Sequence, residues 1–289
     1  MLKRRTSGSV VCPSCGSLVG VRDEKCYTCG RTNPGLWGFG PALRQLGADF
    51  GFVPLVIGTS SILYVLMLLV PGVQLVGGMM TFLAPSTRAM VMFGASGANP
   101  VFGNGWWWTL LTATWLHGSF LHILFNMMWV RDLGSSLVDL IGTPRTVIVY
   151  IVSGICGFLL SSVMWLVPIP IPFFHGAPLT LGASAALFGL LGALYHYGRK
   201  SGSSYIHSQA LNYAVILFVM GLFVPGVDNT AHAGGFIGGY AVSAVFNPLT
   251  REKGDHLLIA LGLVVLTFLS LAYSLFNSFQ ILSRISAGG

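Results

Sequence analysis

Three short stretches set polar side chains inside otherwise apolar runs. "WLHGSFLHILFNMMW" (115–129) carries His117, His122 and Asn126; "LTLGASAALFGLLGALYHYGRK" (179–200) carries Ser184; "DNTAHAGGFIGGY" (228–240) carries His232. A serine hydroxyl beside an imidazole is the minimal activated nucleophile. His122 and Asn126 are four residues apart and so share one helix face. Together with the Ser184 backbone N–H, in the first turn of a helix, they could donate to a developing oxyanion. Each residue alone also has a bland reading. A serine in an apolar helix packs or bonds back to its own backbone, a histidine near a helix end sits at an interface, and an asparagine bridges helices. What favours chemistry is that all three clusters occur together at one depth.

A second constellation lies near the N-terminus. Cys12-Pro-Ser-Cys15 and Cys26-Tyr-Thr-Cys29 are two C-x-x-C knuckles with ten residues between them. Four such thiolates can close a tetrahedral sulfur site for zinc. A segment of about 30 residues cannot build a sufficient core, so a metal staple makes physical sense. Two disulfides or a redox C-x-x-C pair are the alternatives. Cys156, alone in an apolar run, reads as an inert buried thiol.

The elements that must position these groups are apolar. The chain has 289 residues, of which 54% are hydrophobic and 8% charged, with a mean hydropathy of +0.76. Soluble domains carry about 25% charge; this composition is that of a polytopic membrane protein. Seven apolar segments are expected, at about 53–70, 108–130, 146–167, 181–198, 209–224, 230–247 and 256–280, each near the roughly 20 residues a span needs. None contains a carboxylate. No stretch reads as a cleaved signal peptide. Residues 71–107 read as a loop lying partly in the interface, anchored by Trp106, Trp107 and Trp108.

Orientation follows from charge. With a cytoplasmic N-terminus, 13 of the 15 Lys and Arg residues fall inside, Lys3, Arg44, Arg131, Arg145, Arg199 and Lys200 among them; only Arg88 and Arg284 fall outside. The net charge of +7 is thus an orientation signal, and no nucleic-acid partner is expected. The cysteines then face a reducing compartment, which favours zinc over disulfides. Segments two, four and six run in parallel, which brings the three polar clusters to one outer-leaflet depth. Gly234, Gly235, Gly238 and Gly239 on segment six, facing Ala185, Gly189 and Gly192 on segment four, allow close backbone approach.

In order and spacing, "HGSFLHILFN", "GASA" and "AHAGGFIGG" resemble the rhomboid family of intramembrane serine proteases. The match covers about 53–247. The resemblance implies an all-α bundle of six membrane helices, here with one added C-terminal helix and the small zinc knuckle. The expected organisation is a cytoplasmic four-cysteine zinc-ribbon-like module (1–35), a linker (36–52), the six-helix core (53–247), and a further transmembrane helix and tail (248–289). The resemblance implies Ser184 as nucleophile and His232 as base, a dyad without a carboxylate. It implies His122, Asn126 and the Ser184 amide as oxyanion donors. His117 and Gly182 become structural residues near the site. Substrate entry beside the fifth segment would put Phe218, Met220, Leu222 and Phe223 at the gate. Where the family often has glycine after the serine, Ala185 stands; where it often has Trp-Arg before the second span, Trp108-Thr109 stands. A methyl at 185 would displace His232 if span six packed against it, and Gly234 and Gly235 are expected to leave room.

The resulting expectation is an endopeptidase acting on single-pass transmembrane proteins within the bilayer. It needs no catalytic cofactor, keeps a structural zinc in the N-terminal module, and resides in the plasma (inner) membrane of a bacterium. A client-binding pseudoprotease is the alternative, opposed by the presence of both Ser184 and His232. A channel or transporter would call for intramembrane carboxylates or an inverted repeat, and neither is seen.

Overall fold

The computed structural model describes residues 4–41, 51–75, 78, 81–167 and 174–287. Most of the expected linker, with Arg44, and also Lys3, lies outside the described residues.

Among the described residues, seven long helices form the body of the chain. They are α1 (Phe52–Leu68), α2 (Phe120–Ile141), α3 (Thr143–Leu166), α4 (Ser184–Ser201), α5 (Ser204–Phe223), α6 (Asn229–Phe246) and α7 (Gly254–Ala287). α4 is the central one: every residue from Ala185 to Leu194 is buried. Its composition explains the position. Ala185, Ala186, Gly189, Gly192 and Ala193 are small enough for neighbouring backbones to come close.

The contacts with α6 are nearly backbone on backbone. A β-carbon added to Gly235 would strike the Ala185 carbonyl, one on Gly239 would strike Gly189, and one on Gly192 would strike Phe236. α3 closes the other side, where Gly157 meets the Ala185 methyl. The paired glycines on segments four and six therefore do what their spacing suggests.

α3, α5 and α7 are each long and apolar enough to cross a membrane, while α1 is a shorter apolar helix. α2, α4 and α6 fall short of that mark. α2 carries Arg131 and Asp132 beside its polar cluster, α4 ends on His196, Arg199 and Lys200, and α6 bears Asn229, His232 and its packing glycines; these residues lower the hydropathy of the three helices.

The second span differs from its expected bounds. It runs over 120–141, some ten residues later than 108–130. Ser119, in extended conformation, accepts from the His122 N–H and caps the new start. The stretch before it forms a helical turn at Thr109–Thr112 and a tighter one at Ala113–Trp115. Trp115 and Leu116 are fully buried in protein, so their apolarity reflects core packing, not lipid. The true helix also carries Arg131, Asp132 and Asp139 in its second half. Span two therefore does contain carboxylates, on the half away from His122.

The described residues between 71 and 107 hold local structure that the loop reading does not anticipate. They include a short helix, Thr87–Phe93, capped by Ser86 and closed by Gly94 in the left-handed region. Trp106 and Trp108 stack on each other, and Trp108 meets Tyr273 of α7 edge-on. Only Trp107 of the three is exposed.

The N-terminal module is a two-stranded antiparallel hairpin, β1 (Ser9–Val11) with β2 (Leu18–Gly20), in which Val10 pairs Val19. It rests on the start of α7. The Gly254 N–H donates to the Pro13 carbonyl at 2.7 Å, and Arg31 pairs with Asp255 at 2.6 Å. The same α6–α7 loop buries Arg145. Its backbone N–H donates to Glu252, its Nε to His256, and its guanidinium to the Thr250 carbonyl.

Candidate active site

The turn leading into α4 is clamped on both sides. Thr180 and Ser96 exchange backbone hydrogen bonds at 2.7 and 2.9 Å, and the Gly182 N–H donates to Ala113 at 2.9 Å. Gly182 has φ of 128°, a conformation in which a side chain is strained. A β-carbon there would also lie 2.6 Å from His122 Nε2. The "GAS" spacing thus makes the chain turn tightly under an imidazole and start a helix at Ser184. No side chain caps that start. The first helical bond runs from the Leu187 N–H to the Ala183 carbonyl, which leaves the Ser184 N–H among the free donors of a helix N-terminus.

His122 is the third residue of α2, in its first turn. Its Nδ1 accepts from the Gly118 N–H at 3.3 Å. A neutral imidazole accepting at Nδ1 carries its proton on Nε2, and Nε2 is the atom that faces the Gly182 turn. Asn126 is buried one turn on, and its Nδ2 donates to the His122 carbonyl at 2.7 Å. His117 is fully buried, edge-on to the His122 ring with centroids 5.2 Å apart, and neither of its ring nitrogens has a hydrogen-bond partner among the described residues.

His232 enters from α6. Three consecutive residues tie the start of that helix to three neighbours. Asp228 caps Ala231 and accepts from Ser161 of α3 at 2.5 Å; Asn229 donates to the Phe218 carbonyl of α5 at 3.3 Å; Thr230 accepts from the Gly176 N–H at 3.1 Å. One turn later the His232 ring stacks flat on Phe188, with centroids 4.2 Å apart and planes at 9°. Phe188 lies four residues after Ser184 on α4, so the imidazole covers the face of α4 that carries the serine. Ser184 is half-buried, and its hydroxyl has no hydrogen bond to a described residue.

The Ala185 methyl points elsewhere. It lies 2.8 Å from where a β-carbon on Gly157 of α3 would sit. α6 does press on residue 185, but through Gly235 against its carbonyl. The methyl fills a space that α3 leaves for it at Gly157. Beside the Phe188–His232 stack, an apolar cavity of about 280 Å³ opens between α4, α5 and α6, with Phe218, Ala233 and Phe236 in its wall.

The Rhomboid domain family model matches residues 104–249. The chain belongs to the rhomboid family. Among its relatives, Rhomboid protease GluP of Bacillus subtilis is 32% identical over 194 residues, 66% of this chain and 36% of the relative. RHOMBOID-like protein 7 of Arabidopsis thaliana is 34% identical over 163 residues, 55% of this chain and 49% of the relative. Rhomboid-like protease 3 of Toxoplasma gondii is 28% identical over 171 residues, 56% of this chain and 60% of the relative. The rhomboid chain therefore spans less than two thirds of the length of each of these relatives. Rhomboid membership together with the apolar helices makes it an integral membrane protein.

The four cysteines of this rhomboid come together at the tip of the N-terminal hairpin. Their sulfurs all lie within 4.8 Å of one another, with Cys12–Cys29 at 3.8 Å and Cys15–Cys26 at 3.5 Å. A tetrahedron with metal–sulfur bonds of about 2.3 Å has edges of about 3.8 Å, so the donor set fits a zinc-sized ion. Hydrogen bonding to Ser17 lowers the Cys15 thiol to about 6, while desolvation and the neighbouring thiols raise that of Cys29.

Three further histidines are also hydrogen-bonded, His207 through its Nδ1 to the Ser203 carbonyl at 3.1 Å. His196 and Ser243 join α4 to α6 at 3.0 Å, and His256 holds Arg145. Asn229 was missed as a partner of the site. It bonds to His232 Nδ1 at 3.0 Å. The signal was present in "DNTAHAGG", because residues three apart share a helix face.

Proposed function

We propose that the chain is an intramembrane serine endopeptidase that cuts transmembrane proteins, single-pass ones among them. The observation that carries the reading is the convergence of three helix starts. The His122 ring faces the Gly182 turn, the His232 ring covers the Ser184 face of α4, and the Ser184 amide is a free donor between them. In this reading Ser184 Oγ attacks the scissile carbonyl while His232 Nε2 takes its proton. The oxyanion is met by the Ser184 N–H and by His122 Nε2–H, with the second N–H of Asn126 as a further donor. His232 returns the proton to the leaving amine, and a water activated by the same imidazole hydrolyses the acyl-enzyme. The relatives named as proteases support this activity, and the chain's own residues supply each role.

The module at 1–35 is proposed to hold one structural zinc through Cys12, Cys15, Cys26 and Cys29, on the cytoplasmic face, away from the reaction. The core is proposed to extend over 53–247, with α7 as the added helix. A plasma (inner) membrane of a bacterium is the proposed location.

One observation favours client binding without cleavage: Ser184 is not hydrogen-bonded to His232 here. Such bonds are often long before substrate binds. The test is cleavage of a transmembrane substrate by purified protein in detergent and in liposomes. The wild type is expected to cut and Ser184→Ala to be inert. Capture of substrate without cleavage by the wild type would establish the binding reading in its place.

A further inference from the structure

We propose that Asn229 is the positioning residue of His232, so that the site is a serine–histidine–asparagine arrangement held in register by α5. The inference rests on the reading of Ser184 as nucleophile and His232 as base.

The hydrogen-bond directions follow from donor chemistry. The Asn229 amide nitrogen lies 3.3 Å from the Phe218 carbonyl, and the amide oxygen lies 3.0 Å from His232 Nδ1. A backbone carbonyl only accepts, so the NH2 must point at Phe218. The Asn229 oxygen then faces the ring, and it too only accepts. The proton is therefore fixed on Nδ1. In a neutral imidazole this leaves the lone pair on Nε2, the form a general base needs. A base oriented by a third group is the general logic of activated nucleophiles, and asparagine fills that place in cysteine–histidine–asparagine sites.

The amide has little freedom to turn. Asn229 is 4% exposed. Gly221 of α5 lies directly against it: a β-carbon there would sit 2.5 Å from the Asn229 oxygen. α5 is thus both the acceptor that orients the amide and the wall behind it. α5 is otherwise loosely held, with only Ala210 and Ala214 buried along its length. Moving α5 away from α6 removes the Phe218 carbonyl and frees the amide to rotate, so the tautomer of the base depends on the place of this one helix.

Three readouts on the full chain test the proposal. They are kcat and KM for a transmembrane substrate, the rate of fluorophosphonate labelling, and the ring 13C shifts of His232, assigned by difference from His232→Gln. Asn229→Leu is expected to lower kcat and labelling about tenfold or more, with KM within about twofold, as loss of a well-placed base requires. Its His232 shifts should lose the Nδ1–H signature. Asn229→Asp keeps an acceptor at Nδ1 but loses the donor to Phe218, and is expected to stay within about threefold of wild type. A merely structural tie between α5 and α6 predicts the reverse, with Asp as slow as Leu, and that result would overturn the proposal. So would an unchanged kcat and tautomer in Asn229→Leu. If that variant does not fold, Gly221→Ala displaces the same oxygen from α5 and should lower kcat with the same signature. A wild type that neither cleaves nor labels sinks the protease reading alone, because the His232 shifts still decide whether Asn229 holds the proton.

Discussion

Helices α4 and α6 carry a serine and a histidine at each of their two ends. At one end Ser184 starts α4 and His232 stands in the first turns of α6. At the other, His196 of α4 and Ser243 of α6 are bonded at 3.0 Å. By distance alone the second pair is the better dyad. Its surroundings say otherwise. Ser243 is buried inside α6, where its N–H is committed to the helix, and the ring that meets His196 is Tyr240, edge-on at 5.0 Å. Among the described residues, neither His196 nor Ser243 meets a helix-start donor or a second imidazole. Among the described residues, Ser184 has a free amide and a histidine aimed at its turn, and the His232 ring over its face of α4 has its Nδ1 already bound to Asn229. A serine and a histidine make a clasp or a nucleophile according to the donors around them.

The largest contrast should come from the oxyanion side. His122→Ala is expected to lower kcat by about a hundredfold, the usual cost of one such donor. Gly182→Ala should act in the same direction, since its methyl strikes the same ring and strains a φ of 128°. Steady-state turnover by correctly folded variants checks both, and unchanged rates in the two would remove His122 from the reaction.

The clasp should respond differently. Ser243→Ala and His196→Ala are expected to keep wild-type turnover while each costs about 1 kcal/mol of stability, the worth of one hydrogen bond. Thermal denaturation in detergent reads the second effect. A collapse of activity at constant stability would make the far pair part of the chemistry.

The smallest effect is expected at Ala185. Its methyl fits against Gly157 of α3, so Ala185→Gly should loosen that contact and cost roughly 1 kcal/mol by helix propensity, with little change in turnover. A large gain in activity would show that the methyl restrains the site after all.

Much of this arrangement was legible in the sequence. The polar residues that break apolar runs mark the three helix starts, because a bilayer leaves few other reasons to keep them. The glycines of α4 and α6 announce their close packing. The start of α2 was not legible by apolarity, since Trp115 and Leu116 are as apolar as lipid-facing residues yet are buried in protein. Three-apart spacing could have flagged Asn229, but its second partner, Phe218, lies in a different helix. The seat of the cysteine module on Gly254 and Asp255 joins residues more than 220 apart, as the Arg31–Asp255 pair shows, and no local pattern records it.

Ser184, and not Ser243, is proposed as the serine made reactive by its neighbours. Labelling the wild-type protein with a fluorophosphonate and locating the adduct by mass spectrometry tests it most directly. An adduct on Ser184 is expected, lost in Ser184→Ala and His232→Ala and retained in His196→Ala. An adduct elsewhere, or labelling of Ser184 that survives His232→Ala, would contradict it.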